Sequence, residues 1–259
     1  MTSLHRRSWE ILNPTDTAMV VVKSLYESVL EVDEQIPWSW IERSVARRAS
    51  FKPGDRWLPH LMVAAAGEDP DTPLPPQGFV YGGLFPDYGG YVCYLGVAPE
   101  ARQYGLGRTL FEAMFAQLRD DATQMGIGLP FIIWESHRPN EVSTEDDRKL
   151  WTARCRLFDK VGAMWVSGVD FQSPNYHDDE APPISLELFL KPMDSPADTF
   201  DAAKLREVVV GLHTNIYRHR PDDELVLGSL PAGCVPHLKA TPEAERSVGV
   251  CSRKVLKVS

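Results

Sequence analysis

Apolar positions recur along this chain with two periods, and the periods divide it into elements. Met19, Val22, Tyr26, Val29 and Leu30 fall three and four residues apart, which predicts an amphipathic helix over about 16–32. Asp33 to Pro37 breaks that helix, and the pair Ser39 and Glu42 has capping-box spacing for a second helix reaching about Ala49. Trp9 to Leu12 reads as a short strand before both. The continuous apolar run His60–Ala66 predicts a buried strand, and Phe79–Phe85 and Tyr91–Val97 predict a hairpin around the turn Pro86–Gly90. Leu106, Leu110, Ala113, Met114 and Leu118 mark a helix that ends at Gly126. Phe131–Trp134 is the next strand. Leu150, Cys155, Phe158 and Val161 mark a helix over about 144–161, followed by strands Ala163–Val169 and Ile184–Leu190. The order βαα-βββ-α-β-α-ββ predicts an α/β (α+β) domain over 8–192, a mixed, mainly antiparallel sheet flanked by helices.

The remainder, 193–259, predicts a C-terminal extension. Pro192 to Pro196 reads as a linker. Leu205, Val208, Val209, Leu212 and Ile216 stripe a helix over about 199–218, and an irregular tail follows. A stripe of that kind must be covered, either by the domain or by a second copy in a homodimer.

Composition excludes more than it assigns. A chain of 259 residues with formal charge −9 is a poor nonspecific ligand for nucleic acid, and its charge tolerates a cationic acceptor. Four widely spaced cysteines, without a C-x-x-C pair, predict neither a disulfide framework nor a zinc ribbon. The contiguous run His177-Asp178-Asp179-Glu180 is not the spacing of a closed metal site, so no metal is expected. The opening MTSLHRRSWEI lacks an apolar signal core and no apolar run is long enough to span a bilayer. The expectation is a cytoplasmic protein that does not engage a membrane.

The chemistry concentrates where a strand meets a helix. After Val97-Ala98-Pro99 comes Arg102-Gln103-Tyr104-Gly105-Leu106-Gly107, and the helix begins at once. Unpaired N–H groups at a helix start, together with its dipole, form an anion site, and glycines let a phosphate approach the backbone. A dinucleotide fingerprint fits less well, because its third glycine would fall at Leu110. The stretch resembles the cofactor loop of the GNAT superfamily of acyl-CoA-dependent N-acyltransferases, whose motif is Gln/Arg-x-x-Gly-x-Gly/Ala, and the element order over 8–192 resembles the same family.

That resemblance implies an acetyl-CoA-dependent N-acetyltransferase, transferring acetyl directly to the primary amine of a small molecule. By analogy, backbone groups of Leu95, Gly96 and Val97 hold pantetheine. Amides from Gln103, Tyr104, Gly105, Leu106 and Gly107, with Arg108 and Thr109 in the first helical turn, hold the pyrophosphate, and Arg102 braces the loop. The family often places a tyrosine acid where this chain has Phe158, so Phe158 is expected to pack beside the pantetheine. Solvent, Tyr104 or Cys155 is then left to protonate the thiolate. Glu135, at the end of its strand, is the first candidate for the base, against a solvated acid as the alternative. Tyr91 falls where some members carry a base glutamate, although a phenol is a weak base at neutral pH. Asp33 and Glu34 occupy the segment that commonly meets the acceptor, and His137, near Asn140, is a further acid/base candidate. Cys93 leaves a covalent route open. The rival readings are a catalytically silent acyl-CoA sensor and a transferase acting on a protein or peptide amine.

Overall fold

The computed structural model describes residues 4–69, 71–137, 144–176 and 181–242. His177–Glu180, Asn140 and the tail beyond 242 lie outside them. One eight-stranded sheet runs in the order β1-β2-β3-β4-β5-β7-β6-β8. Its strands are β1 (His5–Glu10), β2 (Leu58–Gly67), β3 (Gly78–Phe85), β4 (Gly89–Val97), β5 (Phe131–His137), β6 (Met164–Ser173), β7 (Ile184–Pro192) and β8 (His237–Lys239). The β4–β5 pair is parallel and every other pairing is antiparallel. The helices are α1 (Ala18–Val29), α2 (Trp38–Arg48), α3 (Leu106–Met125), α4 (Glu145–Lys160), α5 (Ala202–Gly211) and α6 (Glu224–Ser229). The order read from periodicity is the observed one.

Alternation in the central strands feeds cores on both faces, which is why β2 reads as a continuous apolar run. Met62, Ala64 and Ala66 meet Leu106, Leu110, Met114 and Trp134 on the side of α3 and α4. Leu61 and Val63 meet Val22, Tyr26 and Ile41 on the side of α1 and α2. A third cluster joins Phe131, Ile133, Leu188 and Leu190 to Leu205, Val208, Val209 and Leu212. The stripe of the C-terminal helix is therefore buried against β5, β7 and β6 of the same chain. The segment continues into α6 and β8, and β8 adds to β6 at the sheet edge, with Trp165 opposite Lys239.

Three local expectations differ from the structure. The first strand is His5–Glu10 rather than Trp9–Leu12; it is an edge strand with His5 opposite Gly67, and its exposed, basic residues carry no apolar alternation to reveal it. The Ser39–Glu42 capping box does not form, because α2 already begins at Trp38 behind Pro37 and Ser39 is inside the first turn. Glu42 instead accepts from Trp38 Nε1 at 2.9 Å. A capping box does form at α4, between Thr144 and Asp147. The C-terminal helix also changes pitch: after α5 the chain makes a π-turn, Leu212–Tyr217, that ends at Arg218 with φ +62°. No described helix is long and apolar enough to cross a membrane.

Candidate active site

The site begins with a flaw in the sheet. Between β3 and β4 the register slips at Tyr81/Gly82: Tyr94 lies opposite Tyr81 and Val92 opposite Gly82, so Cys93 is the extra residue of a bulge. Gly82 permits the close approach, since a Cβ there would lie 2.3 Å from the Tyr91 carbonyl oxygen. On its other edge β4 pairs with β5 only from Gly90↔Ile132 to Val92↔Trp134. Beyond the bulge, Leu95, Gly96 and Val97 stay paired to β3 while the edge that would face β5 is left open. The two parallel strands separate there, and a cavity of about 860 Å³ fills the gap.

One end of the cavity is the glycine loop. After Ala98 the chain makes a 3₁₀ turn, Pro99–Tyr104, and Gly105 adopts φ +75° before α3 starts without a side-chain cap. The first-turn amides of α3 thus have no acceptor within the helix. Arg102 Nε donates to the Val97 carbonyl at 3.4 Å and braces the turn. Arg6, from β1, donates to the Tyr104 carbonyl behind it. Arg102, Arg108, Arg156 and Lys160 line this end, a local basic patch on a chain of formal charge −9. Gln103, Tyr104 and Thr109 do not line the cavity, and Leu106 is buried in the core beneath it.

Phe158 lines the middle of the cavity, packed edge-on against Trp134 at 5.5 Å and tilted against Phe189 at 4.6 Å. The buried Trp134 Nε1 has no hydrogen-bond partner among the described residues. Cys155 is fully buried in the helix-side core and does not line the cavity.

The other end is acidic and aromatic. Glu135 sits where β5 leaves β4. Tyr217 donates its hydroxyl to Glu135 Oε1 at 2.7 Å, and Tyr91 supplies a second hydrogen bond. Burial pushes the Glu135 carboxyl up, the Tyr217 and Tyr91 bonds pull it part of the way back, and Glu34 adds repulsion; its pKa rises to about 7. Tyr91 and Tyr217 are themselves raised well above the usual phenol range, chiefly by burial, so both are neutral donors. Burial pushes the Cys93 thiol up as well, with the negative charge of Glu135 acting in the same direction.

Glu34 lines the same compartment, its Oε1 3.5 Å from His137 Nδ1, and burial raises its pKa against the opposing pull of His137 and Arg154. Asp33 is exposed and outside the lining. Tyr217, Tyr176, Trp57 and Arg154 were not singled out from sequence. Tyr217 comes from the C-terminal segment, which reads from sequence as an ordinary helix; the π-turn that carries it, a feature frequent at functional sites, shows only in the fold.

No family model and no curated protein sequence matches the chain. Solved structures do. A protein of Bacteroides thetaiotaomicron assigned to the GNAT family of acetyltransferases superposes with a TM-score of 0.55 at 18% identity, over 83% of this chain and 99% of that one. The ribosomal-protein-S18-alanine N-acetyltransferase of Escherichia coli is a looser match, with a TM-score of 0.45 at 14% identity over 75% of this chain and 96% of its own. The element order, the splayed β4–β5 pair and the first of these superpositions agree that this chain has the GNAT acetyltransferase fold.

Proposed function

We propose that the protein is an acetyl-CoA-dependent N-acetyltransferase that passes acetyl directly to the primary amine of a small molecule. The observation that carries the reading is the continuity of one cavity, from a helix-start anion loop, along an unpaired strand edge, to a carboxyl with a pKa near 7. The residues present fit a coenzyme A thioester. The amides behind Gly105 and the Arg102, Arg108 and Arg156 side chains suit its phosphates, the open edge at Leu95–Val97 suits pantetheine amides, and the orphaned Trp134 N–H is a further donor in the same wall. The bound thioester would supply the acyl group, its C–S bond breaking as the C–N bond forms. Coenzyme A would leave as the free thiol once solvent carries the second amine proton to it, since Tyr104 and Cys155 do not line the cavity. Glu135 takes the proton from the incoming ammonium, so the amine attacks as the free base, and Tyr217 and Tyr91 hold the carboxylate in place. A Cys93 thiol kept protonated favours direct attack over a covalent enzyme intermediate. The cytoplasm, where acyl-CoA and reduced thiols occur together, is the compartment this reading implies.

The silent-sensor reading draws on Phe158, which leaves no phenol at the family's acid position. Calorimetric titration with coenzyme A, paired with thiol release from acetyl-CoA across an amine panel, separates the two. Binding with turnover is expected; binding without turnover on any amine would favour the sensor. Absence of binding would sink both. Gly107→Glu, whose side chain would leave the loop toward Leu95 and Leu157 in the cavity wall, places a carboxylate at the end where the phosphates are expected and should abolish binding.

A further inference from the structure

The acceptor half of the cavity says more about the amine than that it is an amine. Its walls are rings. Trp57 meets Tyr81 edge-on at 5.9 Å. Elsewhere in the lining, Trp40 meets Tyr176 edge-on at 5.8 Å, and Tyr176 stacks with Tyr217 at 6.4 Å. These rings come from α2, the loop before β2, β3, the loop after β6 and the π-turn, so the lining is assembled from parts far apart in the chain.

The hydroxyls of Tyr81, Tyr217 and Tyr94 are committed to protein partners. Tyr81 donates to Ser44 Oγ at 2.8 Å, and Tyr217 to Glu135. Tyr94, deeper in the cavity, donates to the Glu34 carbonyl at 2.7 Å and accepts from the Ile36 amide at 3.1 Å. What these tyrosines leave toward a ligand is ring surface. Among the described residues, Glu34 and Glu135 are the acids in the lining. A polyamine would ask for further acids spaced along its length. A hydroxyl-rich amino sugar would leave its own polar groups unpaired against these rings. An extended peptide would need free strand backbone, and the open edge of β4 is the one assigned to the pantetheine arm.

We propose that the acceptor is a primary amine carried on an aromatic body, its ammonium directed to Glu135 and Glu34 and its ring seated among Trp57, Tyr81, Tyr176 and Tyr217. The inference rests on the acetyltransferase reading. Offset and edge-to-face ring contacts add stabilisation beyond the area buried, and a cation beside aromatic faces adds more.

The test is kcat/KM by thiol release from acetyl-CoA for 2-phenylethylamine and tryptamine, against n-hexylamine, spermidine and an alanine-initiated peptide. The aryl amines are expected to exceed n-hexylamine by about 10-fold, carried mainly by KM. Tyr176→Leu should collapse that ratio, and the more exposed Trp40→Leu should lower it by removing the edge-on contact that positions Tyr176, with retained coenzyme A affinity as the check that they fold. Equal use of n-hexylamine, or preference for spermidine or the peptide, would overturn the aromatic acceptor while leaving the acetyltransferase intact. Loss of coenzyme A binding and of all turnover in the unmodified protein would remove both.

Discussion

Among the described residues, two buried clusters of ionisable groups, around His60 and around Glu135, are built in opposite ways. At the first, His60 on β2 is 1% exposed and sits between two carboxylates, Glu10 at 2.7 Å from Nδ1 and Asp121 at 2.7 Å from Nε2. Arg48 adds a second cation, 3.1 Å from Glu10 and 3.9 Å from Asp121. Burial pulls the His60 pKa down, but the bonds to Asp121 and Glu10 outweigh it and the net direction is upward. Every charge there meets an opposite one, and the cluster ties β1, β2, α2 and α3 together. At the second, Glu135 is held by neutral phenols, with another acid, Glu34, acting on it across the cavity. Opposite charges make a stable joint. A carboxylate held chiefly by hydroxyls is left near its titration point, facing open space, where it can exchange a proton.

The contrast can be broken at several points. His60→Ala strands two carboxylates with one arginine between them, and about 3 kcal/mol of stability should be lost at pH 7 in urea unfolding. Since the folded His60 pKa lies above its unfolded value, this contribution is fully present below pH 6.5 and fades as pH rises through the folded value. The deficit of the variant should shrink accordingly at high pH. Activity per folded molecule should stay the same.

Glu135→Gln should do the reverse. Its kcat/KM should fall by roughly 10²–10⁴-fold, the usual range for a lost general base. Its stability should rise. A carboxyl whose pKa climbs from 4.5 to about 7 on folding destabilises the native state progressively as pH rises through that window. The full difference is about 3 kcal/mol, so unfolding at pH 8 should show a gain of roughly 1–3 kcal/mol. A fall in both activity and stability would mean that Glu135 is a structural acid like Glu10.

In the unmodified protein, the proposed activity predicts that kcat/KM climbs with pH along a limb centred near 7, as ionised Glu135 accumulates. Tyr217→Phe removes a hydrogen bond that favours the ionised form, so that limb should move up by about one pH unit. A packing defect alone would lower rates without moving it.

The chain displayed some of this openly. The 3.6 and 2 periods of α1, α3, β2 and β3 survive into the structure because those elements bury one face or two against a core. The glycine loop was legible because Gly105 must reach φ +75°, a conformation that leaves a mark in the residue type. Glu135 was legible as the acid ending an apolar run, and Glu34 as part of an acidic break; which of Asp33 and Glu34 faces the cavity was not. The β1 strand was hidden because an edge strand with exposed side chains shows no alternation.

The working end of the cavity was decided by tertiary contact. Tyr217 reaches Glu135 across 82 residues of chain, and His60 finds its partners in β1 and α3. Local propensity acts over a turn or two, so it can write helices, strands and a glycine turn into the sequence. Burial, which raises Glu135 and gathers rings from five separate stretches, is a property of the packed chain, and no residue carries it alone.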